Sequence, residues 1–212
     1  MIPKIIHIVW VGDESKRPDN CIETWRKLNP GWNVRVWGNS ELLGLPWLNK
    51  KHMGQMFQRE LNGVGDLLRW EILYNIGGFA VDADSICLSP LPDWLTEHEV
   101  FACWENELVR PGLIAAGYVG ARPNNPFIGQ IVVDINAEES VIDRPAWVSV
   151  GPRRITDSWQ KYRYNGLSIL PSHYFIPEHP EAEPYKGEGH KFARQFWAST
   201  FNKYDTLHQM VF

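Results

Sequence analysis

The sequence predicts an α/β fold, a sheet flanked by helices, and three stretches carry that expectation. Ile5–Trp10 is a short apolar run rich in β-branched residues, the composition of a strand buried on both faces. In Val64–Ile76 the apolar positions Leu68, Ile72 and Ile76 recur at i, i+4 and i+8, with Val64 and Leu73 widening the stripe. Gly77-Gly78 then stops that helix and leads straight into Phe79–Val81, a second apolar strand.

The remaining elements follow in order. Asp19 or Asn20 is placed to cap a helix running to Leu28, where Pro30-Gly31 ends it. Val34–Trp37 reads as a strand, Asn39-Ser40 as the cap of a short helix, and Leu48–Glu60 as the helix before Val64–Ile76. Residues 85–95, with Pro90 and Pro92, are expected to form a strand end and a turn. Val100–Trp104 and Leu113–Ala121 read as strands, Pro126–Glu138 as a helix, and Gly151-Pro152 opens another, proline being suited to the first helical turn. Leu167–Leu170 is the last strand, and residues 171–190, rich in Pro, His and Glu, read as loop. Alternation of this kind puts ligands at the carboxyl ends of the strands, where the strand order switches.

Composition bounds the class. A chain of 212 residues with 44% apolar and 22% charged residues can bury a full core, and residues 1–212 are expected to be one catalytic domain. The net charge of −4 argues against a broad nucleic-acid-binding surface, so an anionic substrate must be neutralised locally by a metal or a few arginines. Eleven tryptophans are unusual for this length; many are expected in the core, where large aromatics bury much area, and one to three are expected to stack against a ligand. Cys21, Cys87 and Cys103 show neither paired nor metal-type spacing, which suits a reducing compartment. Lys4–Trp10 reads as a strand rather than a leader, and no apolar run approaches the roughly 18 residues of a membrane span.

The chemistry concentrates where Phe79–Val81 ends, at Asp82-Ala83-Asp84. Period two along a strand aims both carboxylates to one side, where they repel unless a cation lies between them. Oxygen ligation of this sort suits Mg²⁺ or Mn²⁺, whose shell is completed by water and phosphate oxygens; taken alone, the same triplet also fits a surface turn. Asp66 and Arg69, three apart on the preceding helix, share a face. They read either as a solvated salt bridge or, because the helix feeds directly into the Asp82–Asp84 strand, as a pair bordering the same cleft. There the carboxylate would accept from sugar hydroxyls and the guanidinium would fork onto hydroxyls or a phosphate.

Ile2–Gly12, Gly65-Asp66-Leu67-Leu68-Arg69-Trp70 and Gly77–Asp84, in that order and spacing, resemble the three signatures of DXD-containing sugar transferases, in particular glycosyltransferase family 32 and the related catalytic domain of large clostridial glucosylating toxins. The resemblance is dense over residues 2–12 and 63–91 and looser through roughly 100–160. It implies a GT-A fold with a mixed central sheet, a nucleoside-diphosphate sugar as donor, a carbohydrate or other hydroxyl as acceptor, and retention of anomeric configuration.

It further implies that Val9, Trp10, Asp66, Arg69, Asp82 and Ala83 bind the donor, Trp10 against the base, and that Asp82 and Asp84 hold Mn²⁺ or Mg²⁺. Ordinary packing at the strand end remains the other reading of Trp10, and a hydrogen-bonded structural role suits His7. Glu105 and Asn106, at a strand end, and Gly151 with Arg153, at a helix start, are candidates for the acceptor side; simple helix capping is the other reading of the latter pair.

The family's closing segment, of the type His-x-Trp-x-x-Ser-Trp, aligns with Gln195–Phe201, so Gln195, Thr200 or the nearby His190 is expected to complete the metal shell as residues 190–201 order over the donor. Ala80 stands where relatives carry Tyr. Those relatives include membrane-anchored enzymes; this chain is expected to be cytoplasmic, of bacterial or viral origin. Two rival readings are a haloacid-dehalogenase-type phosphatase using Asp82 as nucleophile, against which no Asp-Asp or Gly-Asp-x-x-x-Asp follows residue 84, and a non-catalytic, cation-dependent carbohydrate-binding module.

Overall fold

The computed structural model describes residues 1–212. In chain order, Ile5–Val9 (β1) is followed by helix Asp19–Leu28 (α1), strand Asn33–Trp37 (β2) and helices Asn39–Gly44 (α2), Lys50–Arg59 (α3) and Leu61–Ile76 (α4). Strands Gly78–Val81 (β3), Ser85–Cys87 (β4), Val100–Asn106 (β5) and Arg110–Ala121 (β6) come next. Helices Pro126–Asn136 (α5), Ala146–Ser149 (α6) and Pro152–Tyr162 (α7) precede strand Leu167–Leu170 (β7). The chain finishes with strand Ala193–Gln195 (β8) and the single-turn helices Ala198–Phe201 (α8) and Tyr204–Leu207 (α9). No helix is long and apolar enough to cross a membrane.

Six strands form one mixed sheet in the order β2-β1-β3-β6-β5-β7, and β4 pairs with β8 in a small antiparallel ribbon. β1 runs parallel to both β2 and β3, so the chain departs from β1 to one side and returns on the other. That is the switch in strand order the alternation predicts, and it sets the carboxyl ends of β1 and β3, Val9 and Val81, side by side. β6 then pairs antiparallel with β3 and β5.

Period two divides the sheet into two packed faces. Ala80, Val100 and Ala102 pack with Leu67, Leu68 and Trp70 of α4 and with α5, while Ile6, Ile8, Phe79, Val81 and Phe101 pack with Ile22 and Trp25 of α1 and with Phe175. The Tyr-to-Ala difference at residue 80 therefore lies inside the core under α4.

Several boundaries differ from the sequence expectations for local reasons. Pro18, not Asp19 or Asn20, occupies the cap of α1; Asn20 instead donates from its amide to the carbonyls of Leu207 and Met210, tying the C-terminal end to α1. Gly38 occupies the cap of α2, and Asn39 clamps Gly12 by accepting from its N–H and donating to its carbonyl. α4 starts at Leu61, earlier than the apolar stripe, and residues 171–190 contain one 3-10 turn, Ser172–Tyr174. α4 ends at Gly77, whose φ of 70° is left-handed and whose Cβ position would lie 2.6 Å from Pro123, so only glycine turns the chain into β3 there.

His7 links this turn to the sheet. It is buried in β1, accepts at Nδ1 from the Trp37 indole (3.0 Å) and meets the Gly77 carbonyl with Nε2 (2.7 Å). An indole can only donate and a carbonyl can only accept, so the ring is held neutral with its proton on Nε2. Burial, opposed by the Gly77 bond, lowers its pKa to about 4. Because the unfolded chain takes up a proton near pH 6.5 and the folded chain does not, stability should be full above pH 6.5 and fall as pH drops toward 4, by up to about 3 kcal/mol. Because the raised acids of the cleft titrate in the same window with the opposite sign, the measurement is the difference between wild type and His7→Gln: their urea midpoints should diverge by this slope across pH 4–7.

Candidate active site

β3 ends at Val81, so Asp82-Ala83-Asp84 is a turn rather than the strand edge the sequence suggests. Its two carboxylates nevertheless converge, on Gln195 of β8: the amide Nε2 donates to Asp82 Oδ2 (3.2 Å) and to Asp84 Oδ1 (2.9 Å). Asp84 is buried and its other oxygen accepts from the Ala198 N–H (2.6 Å), whereas the Asp82 carboxylate is about one-third exposed to the cleft. The amide oxygen of Gln195 accepts from the buried Tyr118 hydroxyl at 2.6 Å. Gln195 therefore turns its donor, not its oxygen, toward the acids.

Arg69 reaches the same turn from α4. Its Nη1 donates to Asp66 Oδ1 and its Nη2 to Asp82 Oδ1, both at 2.5 Å, and the pair is buried rather than solvated. An exposed pair at this spacing contributes only about 0.3–0.5 kcal/mol; this one joins a helix to the Asp82 turn in a desolvated place. Arg69 Nε is buried with no hydrogen-bond partner, an unsatisfied donor beside the acids.

The acids are crowded. Burial, aided by the Asp82 charge and opposed by Arg69, pushes Asp66 up to about 7. Asp84 is likewise raised, by burial and then by Asp82. Three carboxylates face one guanidinium here, an imbalance that a divalent cation between Asp82 and Asp84 would relieve. The donor set is hard oxygen, as Mg²⁺ or Mn²⁺ requires, so the residues fit such an ion.

These residues line one open cleft of about 1120 Å³, together with Val9, Trp10 and Ala83. Trp10 donates from its indole to the Asp13 carbonyl, and Tyr204 of α9 meets it edge-on at 4.9 Å between ring centroids. The floor is Gly117 of β6. A Cβ there would fall on the Asp82 carboxylate, 2.8 Å from its Cγ. A glycine inside a strand is the sequence sign of such a close approach, and it was readable in advance.

Other expected residues lie elsewhere. His190 stacks on Phe192, outside the cleft lining; Thr200 lines the cleft but is exposed and makes no recorded bond to the acids. Asn106 caps its own hairpin, accepting from the Leu108 and Val109 N–H groups. Arg153 is drawn to Asp157 one helical turn away (2.8 Å) and does not line the cleft. Gly151 sits behind Asp66, its Cβ position 2.7 Å from Asp66 Oδ2, so it gives that carboxylate room and does not touch an acceptor. Glu105 does line the cleft, with His179, Trp197 and Tyr204, none of which the sequence marked for a site of this kind except through the aligned closing segment.

Residues 15–101 match the family described as "Glycosyltransferase sugar-binding region containing DXD motif". Over 187 residues the chain is 23% identical to inositol phosphoceramide mannosyltransferase 1 of Schizosaccharomyces pombe, covering 81% of this chain and 56% of that protein. It thus spans about half the length of that curated relative. Two solved structures share the fold. PaToxG glycosyltransferase has a TM-score of 0.61 at 17% identity, covering 76% of this chain and 70% of that one. The UDP-bound glycosyltransferase domain of the YGT toxin has 0.53 at 11%, covering 80% and 79%. The fold is that of the GT-A glycosyltransferases. Within that class, residues 15–101 match the DXD-containing sugar-binding region, and the chain resembles family 32.

Two outcomes test this geometry. Gly117→Ala should displace the Asp82 carboxylate, lowering nucleoside-diphosphate affinity measured calorimetrically with Mn²⁺, while the melting temperature changes little. Arg69→Ala should leave Asp66 and Asp82 uncompensated and cost several kcal/mol in urea unfolding, not tenths.

Proposed function

We propose that residues 1–212 are a single catalytic domain that transfers a sugar from a nucleoside-diphosphate sugar to an acceptor hydroxyl, with a divalent metal and with retention. The observation that carries this reading is the convergence of Asp66, Asp82 and Asp84 on Arg69 and Gln195 where β1 and β3 end side by side. Val9, Trp10 and Ala83 line the part of the cleft that receives the nucleotide. Asp82 and Asp84 would hold Mn²⁺ or Mg²⁺, which when bound supplies Lewis-acid neutralisation of charge on the departing diphosphate.

Asp66 accepts from donor-sugar hydroxyls, and the Arg69 guanidinium orients the donor while holding Asp66 and Asp82 in place. Such fixed geometry presents one face of the sugar to the acceptor hydroxyl. The sequence singles out no further Asp or Glu as a nucleophile, so retention is read as attack from the face of the leaving group, with the diphosphate taking the hydroxyl proton.

Asp82 is tied at one oxygen to Arg69 and at the other to Gln195, which disfavours its use as the nucleophile of a phosphatase. A binding module would not need that arrangement beside a nucleotide edge. Three free, buried cysteines support a reducing, cytoplasmic setting.

Asp84→Asn is the decisive variant. Removing a desolvated charge offsets the loss of one of the two hydrogen bonds Asp84 accepts, so the fold should persist, yet transfer from a nucleotide sugar should drop roughly a thousandfold or more if several kcal/mol of transition-state stabilisation depend on the metal pair. Turnover within threefold of wild type, with Mn²⁺ present, would remove the metal assignment.

A further inference from the structure

Away from the Asp82–Asp84 turn, the same cleft has a second polar wall, at the hairpin of β5 and β6 and the loop before β8. Glu105 is the last cleft-lining residue of β5, with a side chain only 14% exposed and no hydrogen bond. Its nearest basic groups stand off: Arg110 Nε at 3.9 Å and His179 Nε2 at 3.5 Å. Burial, opposed by Arg110, raises its pKa.

His179 is buried and its Nδ1 accepts from the Glu181 N–H (3.1 Å). In the neutral ring that leaves the proton on Nε2, facing Glu105. Burial, opposed by Glu181, keeps the ring's pKa low. Arg110 is held by Glu181 at 2.5 Å, so its charge is already matched. Counting Glu105, Glu181, Arg110 and neutral His179, this wall carries one net negative charge.

Trp197 completes it. Its ring meets His179 edge-on at 4.9 Å, and its indole N–H is bound to the Glu178 carbonyl, which fixes the ring's orientation. Its backbone is left-handed, φ 56°, a costly conformation for a bulky residue that points to function. The same turn aims the next N–H, of Ala198, at Asp84. One strained residue therefore sets both the acid pair and this wall. Along β6, Gly117 beneath Asp82 and Leu113 beside Glu105 are four residues apart, about 13 Å of strand, which spans a donor sugar and an adjoining ring.

We propose that Glu105, His179 and Trp197 form the acceptor subsite, and that it takes a neutral, polyhydroxylated ring, a sugar or cyclitol bearing adjacent hydroxyls, in preference to a phosphorylated one. One hydroxyl donates to Glu105, its neighbour accepts from His179 Nε2, and the ring's C–H face lies along Trp197. An anionic group there meets Glu105 and Glu181 with no uncommitted cation. The inference rests on the glycosyl-transfer reading above, and adds the acceptor's class to it.

The test uses the full chain with UDP and Mn²⁺. Saturation-transfer NMR would compare methyl α-mannoside, methyl β-galactoside and myo-inositol with mannose 6-phosphate, galactose 6-phosphate and myo-inositol 1-phosphate. At least one neutral probe should bind about tenfold or more tightly than its phosphorylated counterpart. Glu105→Gln should narrow that ratio to about threefold or less, and Glu181→Gln, by releasing Arg110, should narrow it from the anionic side, in keeping with the strength of charge-assisted hydrogen bonds. His179→Gln is a second probe of the same contact should Glu105→Gln melt early.

Phosphorylated probes binding as well as or better than neutral ones, an unchanged ratio in folded Glu105→Gln and His179→Gln, or no binding of any probe would each overturn the subsite. Failure of UDP itself to bind with Mn²⁺ would instead overturn the glycosyl-transfer reading, a separately observed result.

Discussion

Arg69 is the interaction on which the cleft depends. Its guanidinium spans from Asp66 on its own helix to Asp82 in the turn after β3, so α4 and the end of the sheet share one buried charge. Without it, Asp66 and Asp82 would repel each other in a desolvated place, and the turn would have no fixed position relative to the helix. The helix can deliver Arg69 there because Gly77 reverses the chain directly into β3, keeping helix and strand in immediate sequence contact.

The rest of the site balances what Arg69 does not. Gln195 bridges Asp82 and Asp84 with a neutral donor, Tyr118 fixes that amide from below, and the Ala198 N–H takes the remaining Asp84 oxygen. Neutral donors satisfy lone pairs without cancelling charge, so the acid pair keeps its charge while remaining hydrogen-bonded. Where the closing segment of the family this chain resembles carries His, an amide here forms a structural bridge.

Much of this was legible locally. The i,i+3 spacing of Asp66 and Arg69, the helix stop at Gly77 and the carboxylates of residues 82 and 84 are short-range features, and they place the chemistry on the right elements. The failures were also local in origin. Arg153 has Asp157 one turn along its helix, and Asn106 opens a hairpin that its side chain can cap; each had a nearer partner than any acceptor. His179 gave no such signal, because a Pro-rich loop carries no periodicity from which a direction can be read, and Trp197 was marked only through the aligned closing segment.

By itself, then, the sequence determined the alternation of strands and helices, the helix stop at Gly77, and the pair of carboxylates that follows β3, since these follow from side-chain periodicity and the sterics of glycine and proline over a few residues. Only the tertiary structure decided which groups meet that turn. Of the two readings of the Asp66–Arg69 pair the structure shows a buried bridge rather than a solvated one, Gln195 arrives from 111 residues away, and Gly117 lies close beneath Asp82. Those meetings are set by how strands from distant parts of the chain register in one sheet and by which charges are desolvated together, and neither quantity is stored in any short window of residues.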